Sequence, residues 1–599
     1  LNTAWKTAYT SFDAIGAPML LDEAAKQTAS FAPWFDFRMF MDTAFAKLHE
    51  TFAGFVRKED PGARVGWDGL LGYHWLAGYD FYKLTRNLEL NQVYTIEPLQ
   101  GELVRSFKRP GALTGEWGNA VADNEAGFSA ITWHNLFRGH NSCWWWTSWG
   151  CDYIPFNPDM SISHMGKWFF DSAAEVKAGP GKLLLHGRRD DSAVAVLYNQ
   201  ADLFAAKLFE SVPDKAPVPG WLANLTGVMY ALQDMGCQYS FVAAPDIETA
   251  PGRLDEYRAL VLPLATCMSD ALVQAVREFA QRGGLIIADG RACLLTENGV
   301  VRGQRLLDDL FGVKLSAGLE AFQSAPKTVT CELGGETITA ASLETGLQIT
   351  HGKAEINAGD VPCLITNSFG NGHAVLLNMP FSTINTLRHK GRERLLLEPL
   401  ARQLALAGVK PYAQLTAEGK PARCVEQTLF VDGSLRYLCL QQDILLRGLE
   451  AQNLTVSIDA PAYVYDMRAG RAAAEEPITS WNAAISRGRP LVYALMPYAV
   501  SSLAVTVAAE SVQGNTLELA AAVTAKGAQP EYHVVRVDVF APGSNTSHRQ
   551  YSQNIACPNG QGKASIPFAL NEPAGTWRLA FRDAASGVTA EATVNLAAR

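Results

Sequence analysis

The chain has 599 residues, 48% hydrophobic and 19% charged, which excludes a disordered or fibrous protein and predicts three or four globular domains. A net charge of -9, with no lysine- or arginine-rich run, argues against a nucleic-acid partner. No run of about 18 uninterrupted apolar residues is present, so no membrane-spanning helix is predicted and no membrane partner is expected.

The opening residues, Leu1 to Ile15, read LNTAWKTAYTSFDAI, with no initiator methionine and no leader. From Trp34 onward, Phe37, Phe40, Met41, Ala44, Leu48 and Phe52 recur at helical spacing, which predicts a helix with a core-facing apolar stripe. It feeds a strand, RVGWD, ending at Trp67 and Asp68. The next strand reads as either LAGYDFYKL (Leu76 to Leu84) or LNQVYTIEP (Leu90 to Pro98). Glu97 ends the second of these, and the proline after it marks a loop or helix start.

Ala112 to Gly150 is the most informative stretch. Small and apolar residues lead to Glu116, followed by Trp117; Ala126 to Phe137 has a helical pattern; Cys143 to Trp149 is an apolar run with four tryptophans. Strand, carboxylate, helix and aromatic strand are what two successive units of a (β/α)8 barrel look like. Such barrels place chemistry at the C-terminal ends of their strands. A carboxylate bordered by tryptophans suits a sugar, because aromatic faces stack on pyranose rings and carboxylates cleave glycosidic bonds. The bland alternative is that Glu116 pairs with a core arginine while the tryptophans pack. Glu97 is the competing candidate.

LNTAWKTAYTSFDAI resembles the LN-x-AWGT-x-FWS motif of glycoside hydrolase family 42, the β-galactosidases, with Lys6 where the family has glycine. WFDFRMF resembles the family's LDF-x-RF helix, and ALTGE resembles its seventh strand, whose LME-Q segment carries the nucleophile. The resemblance implies that Glu116 is that nucleophile. The family motif at Leu1 lies just after the fourth barrel strand. Strands one to four and the acid/base glutamate are therefore expected outside this chain, on an upstream segment or a companion chain. Trp67 and Asp68 fall on the family's threonine and asparagine, so Asp68 either binds sugar hydroxyls or caps a loop. Asp80 is similar to an aspartate of the sixth-strand region. CWWWTSWG resembles the FQWRQS strand, and Trp145, Trp146 and Trp149, with Trp67 and Trp117, are expected to shape the sugar subsite. The family's GxE-x-x-H element is missing: GCDYIPFNPDM offers only Asp152, and His164 matches a later family histidine. Asn124 and Glu125 form an asparagine-glutamate pair, but between the seventh and eighth strands, where a helix start is the reading.

Beyond Lys177 strands alternate with helices, the pattern of a doubly wound α/β domain. YRALVLP, QRGGLIIADG and GNGHAVLLNMP resemble the amidotransferase-like trimerisation domain of family 42. Cys267 and Cys293 lack the G-x-C-x-G context of a nucleophile, so the domain is read as structural. The ten cysteines are scattered singly, without CxxC or zinc spacing, so neither a metal site nor a dense disulfide framework is predicted. From about Pro411 β-patterning takes over, with an Asp432-Gly433 hairpin signal. Short, evenly spaced strands from Thr516 to Ala598 suggest an immunoglobulin-like sandwich.

The expected fold class is α/β plus β. It comprises the C-terminal half of a (β/α)8 TIM barrel (1–178), an amidotransferase-like α/β domain (179–408), a small β-sandwich (409–509) and an immunoglobulin-like β-sandwich (510–599). The expected function is retaining hydrolysis of β-linked galactosides or related oligosaccharides, without a cofactor or metal. The alternatives are a glycosidase of other specificity (agar-type or modified galactan, β-glucoside) or a non-catalytic carbohydrate-binding protein on a decayed barrel. The resemblance implies a homo-oligomer, with a trimer as one form, and the added sandwich leans toward a secreted or periplasmic bacterial enzyme.

Overall fold

Pro33 sits in the first turn of helix α1 (Ala32–Glu59), where its missing N–H costs no hydrogen bond, and Arg57 and Lys58 complement the helix dipole at the other end. The computed structural model describes residues 1–599 apart from 17–18, 28–29, 71–74, 94–97, 118–124, 146–154, 192, 210–219, 291, 316–327 and 342. The chain forms two compact units: Leu1–Glu116 with Asp191–Pro411, and Trp117–Asp190 with Tyr412–Arg599.

In the first unit, α1 is followed by β1 (Gly66–Leu70), α2 (Phe81–Thr85), β2 (Leu90–Val93), α3 (Pro98–Phe107) and β3 (Leu113–Trp117), whose last residue opens the second unit. The three strands run parallel, β1 beside β2 beside β3. Of the two segments proposed for the middle strand, Leu90–Val93 supplies it, whereas Phe81–Thr85 is helical. The helical spacing in α1 correctly gave a helix, but its expected core-facing stripe needs correction. Phe40, Leu48 and Phe52 are 63%, 49% and 57% exposed, as is Phe55 at 61%. The buried side carries Trp34, Phe35, Asp42, Ala46 and Ala53 instead. Periodicity fixes that a helix has an apolar side; it does not say whether a neighbour covers that side.

The second unit opens with α4 (Glu125–Phe137), β4 (Ser142–Trp144), α5 (His164–Lys177) and α6 (Pro180–His186). α4 begins at Glu125, as the helix-start reading required, and Ser163 caps α5 by accepting from Gly166 N at 2.9 Å.

Back in the first unit lie β5 (Val194–Tyr198), α7 (Gln200–Phe209), α8 (Gly220–Asp234), β6 (Tyr239–Ala243), β7 (Ala259–Leu262), α9 (Asp270–Gln281), β8 (Leu285–Asp289), β9 (Lys353–Ala358), β10 (Val361–Phe369) and β11 (Gly372–Leu377). These strands form a seven-stranded sheet in the order β9-β10-β11-β8-β7-β5-β6. The five from β11 to β6 are parallel, and β9 and β10 add an antiparallel edge. Buried on both faces, the inner strands read as continuous apolar runs, VAVLY and ALVL, with every residue buried. Arg105 on α3 ties the first segment to this sheet, bonding Glu102, Asp191 and the carbonyl of Tyr239.

The remainder of the second unit is β structure. Val425–Asp432 and Leu435–Gln442 form the hairpin that Asp432 and Gly433 foretold, inside a nine-stranded sheet. A three-stranded sheet and a five-stranded sheet follow. Leu517, Leu519 and Val523 of the first share one core with Val535, Val537, Trp577 and Leu579 of the second, so these two sheets pack face to face.

Candidate active site

Glu116 stands next to last in β3, at the C-terminal end of a parallel strand. Pairing sets Val93 opposite Glu116, Asn91 opposite Thr114 and Trp67 opposite Asn91. Because side chains alternate along a strand, these five residues share one face, and Gln92, Gly115 and Trp117 take the other. All five are buried, Glu116 and Thr114 completely. On this face Asn91 donates to the carbonyls of Thr85 and Leu88, each at 3.3 Å, and Trp67 and Val93 join the apolar core that also holds Leu99 and Leu103. Glu116 thus lies fully buried on the face of the sheet that carries Asn91 and Val93.

The other predicted residues divide into three groups. Trp67 and Trp117 are buried. Trp145 is half-buried and packs on Phe128 and Phe169, ring centroids 5.2 Å and 4.5 Å away. Asp68 lies in β1 with its side chain outside the described residues, as are Glu97, Trp146, Trp149 and Asp152 altogether. His164 begins α5, with its ring edge-on to Trp168.

Asp80 has a clear structural task. It caps α2, accepting from Tyr82 N at 3.1 Å and Lys83 N at 3.3 Å, and pairs with Lys83 Nζ at 3.4 Å. Burial nonetheless pushes its carboxyl above the usual range. Nearby is a polar cluster that sequence reasoning missed. Gln200 Nε2 donates to Asp42 Oδ2 at 2.8 Å, and Tyr198 donates its hydroxyl to Gln200 Oε1 at 2.8 Å while accepting from Phe81 N at 3.1 Å. Burial, reinforced by the Asp80 charge, pushes Asp42 up to about 7. The readable sign was Asp42 in i, i+4 register with Arg38 and Ala46 on the side of α1 that carries Trp34. Asp42 joins α1 to α7 through Gln200, while Asp80 caps α2.

In the α/β sheet neither tempting cysteine is suited to attack. Cys293 has φ +59° but is fully buried, and burial pushes its thiol up to about 11. Cys267 is raised further, by burial and then by the Asp202 charge. A nucleophilic thiol needs the opposite shift.

Residues 238–403 match the family model described as the β-galactosidase trimerisation domain. Over about four-fifths of the chain the fold, mixing helices with many-stranded sheets, is similar to that of solved β-galactosidases, family 42 enzymes among them. The β-galactosidase of Bacillus circulans sp. alkalophilus superposes with a TM-score of 0.60 at 16% identity, over 82% of this chain and 73% of that one. The cold-adapted β-galactosidase of Rahnella sp. R3 gives 0.58 at 14% identity, over 82% and 72%. An exo-carrageenase of family 42 from Bacteroides ovatus gives 0.50 at 11% identity, over 83% and 60%. No curated protein matches the chain by sequence. The resemblance to family 42 read from the sequence is thus shown, in the trimerisation domain and in the fold.

Proposed function

We propose that the protein is a retaining glycoside hydrolase acting on β-linked galactosides or related oligosaccharides, with Glu116 as nucleophile. The observation that carries this reading is Glu116 at the C-terminal end of a parallel strand, in a fold shared with β-galactosidases. Glu116 attacks the anomeric carbon as a second glutamate, about 5 Å away and outside this chain, protonates the departing oxygen. That glutamate then takes a proton from the water that releases the sugar. Trp67, Trp145, Trp146, Trp149, Asp68 and Asp152 shape the sugar subsite; Trp117, on the opposite face of the sheet from Glu116, flanks the nucleophile in sequence only.

Residues 1–178 are the C-terminal half of the catalytic barrel, 179–408 the trimerisation-type domain, 409–509 a small β-sandwich and 510–599 an immunoglobulin-like one. The protein assembles as a homo-oligomer, and further barrel strands come from an upstream segment or a companion chain. Two features support the last point: among the described residues β1 pairs only with β2, and the exposed side of α1 is strongly apolar.

The complete polypeptide, with the strands that close the barrel, tests the reading on a panel of aryl β-glycosides. Glu116→Ala should lose hydrolysis and recover turnover with azide, yielding a glycosyl azide of inverted configuration, because azide takes the place of the missing nucleophile in a single displacement. Wild-type rates in that variant would remove Glu116 from the chemistry. The second reading, a carbohydrate-binding protein on a decayed barrel, is favoured by the complete burial of Glu116. Sugar binding without hydrolysis in the wild type would establish it.

A further inference from the structure

A cavity of about 460 Å3 opens in the second unit between α4, α5 and α6. It lies beside His140 and Asn141, which lead into β4, and beside Ser142 and Cys143, the first two residues of that strand. Barrel strands carry their chemistry at the opposite end, so this space is separate in kind from a sugar subsite. Its size falls within the range of small-molecule sites.

The walls are chiefly apolar: Leu136 from α4; Phe169, Phe170, Ala173 and Val176 from α5; and Leu185 from α6. Two buried polar atoms on the lining have no protein partner. Thr132 Oγ1 is one, on a residue only 9% exposed; threonines inside helices ordinarily return a bond to their own backbone. Asn554 Oδ1 is the other, although the same amide donates to the carbonyl of Lys177 at 2.8 Å. Lys177 and Lys182 also line the cavity, both exposed and neither engaged in an ion pair among the described residues. An apolar slot with buried hydrogen-bonding atoms and two uncompensated ammonium groups is complementary to a molecule with an apolar body and a negative head.

We propose that this cavity is a binding site for a small amphiphilic carboxylate. Its hydrocarbon body lies against Phe169, Ala173 and Val176, and its carboxylate accepts from Lys177 and Lys182. A water bound to the carboxylate donates to Asn554 Oδ1 and meets Thr132 Oγ1. The site is independent of the glycosidase reading, so either can fail without the other.

Isothermal titration calorimetry of the full chain with decanoate below its micellar concentration, and separately with 4-phenylbutyrate, tests this. One saturable site per chain is expected for at least one of the two acids, with a negative heat-capacity change from apolar burial. The preferred acid tells a fatty-acid-like ligand from an aromatic one. Lys177→Glu with Lys182→Glu, on exposed side chains, should weaken binding at least about tenfold. Ala173→Trp should fill the cavity and abolish binding; Leu185→Trp, at the exposed mouth, should do so without burdening the fold. Circular dichroism confirms folding of each variant. No saturable binding of either acid would overturn the proposal. Binding that survives both tryptophan variants would also overturn it, since the acid would then sit on another apolar surface such as that of α1. Equal affinity for neutral 1-decanol would refute the anionic head group.

Discussion

Asp42→Asn should make the protein more resistant to unfolding at pH 8 and leave it nearly unchanged at pH 4. Asp42 lies buried on α1, and burial together with Asp80 raises its carboxyl from 3.8 to about 7; the Gln200 bond, Lys83 and Arg38 oppose the rise but do not cancel it. Below about pH 4 the group is protonated in both folded and unfolded chains and contributes nothing to the pH dependence. As pH rises the unfolded chain ionises first while the native state keeps its proton, so stability falls until the native carboxyl also ionises near pH 7. The pKa difference of about 3, at about 1.36 kcal/mol per pH unit, corresponds to roughly 4 kcal/mol above pH 7. The neutral amide keeps an oxygen for Gln200 Nε2, which donates to Asp42 Oδ2 at 2.8 Å, and has no charge to bury. Differential scanning calorimetry of wild type and variant at pH 4, 5.5, 7 and 8 reads the difference at each pH, with the melting temperature of the transition containing α1 as observable. A gain that grows with pH is expected. Equal destabilisation at every pH would refute the reasoning and show that the Gln200 contact outweighs the cost of the buried charge.

Gly227→Ala in α8 should destabilise by about 1–3 kcal/mol, although alanine is the better helix former by about 1 kcal/mol. The new Cβ would stand 2.4 Å from the backbone oxygen of Phe381, which has no rotamer with which to yield; thermal melts check it. Asp583→Asn should cost about 3–5 kcal/mol, because Asp583 accepts from His533 Nδ1 at 2.9 Å and from Ser586 Oγ at 2.5 Å with both partners buried. Burial raises the Asp583 carboxyl, but His533 and Ser586 outweigh it and hold the group below its ordinary value. Its contribution is therefore full above the unfolded value near 4 and is lost as pH falls further, and a melt series from pH 6 to pH 2 should show the asparagine variant missing that acid-side loss.

Much of this fold was legible because strand and helix periods leave separate marks in sequence. ALTGE, SAVAVLY and LIIADG are short, continuous, mostly apolar runs of the kind that strands buried on both faces produce, and β3, β5 and β8 occupy them. The Asp432-Gly433 signal marked the hairpin one residue early: Asp432 still pairs with Leu435, and the two-residue turn is Gly433-Ser434, with Gly433 at φ +57°. Burial was less readable. The α1 pattern shows an apolar side, yet Phe40 is exposed while Asp42, two residues on, is buried, since coverage depends on neighbours distant in sequence. The candidate site shares this difficulty. Glu116 could be picked out by its place at a strand end, but which face it takes follows from register with Asn91 and Val93, a relation that no local pattern carries.

The exposed apolar side of α1 and the burial of Glu116 lead to one physical picture. Full burial of a phenylalanine or leucine stabilises by about 1.5–3 kcal/mol. Phe40, Leu48, Phe52 and Phe55 are each about half to two-thirds exposed, so covering them would yield roughly 3–7 kcal/mol, comparable to the net stability of many domains. That term favours a further segment packing on α1, and among the described residues β1 pairs on one side only. In the proposed barrel such a segment also brings the acid/base glutamate, which must approach Glu116 to about 5 Å. Completion of the core and completion of the catalytic pair would then be one event, with packing on α1 providing the free energy that holds two carboxyls close together.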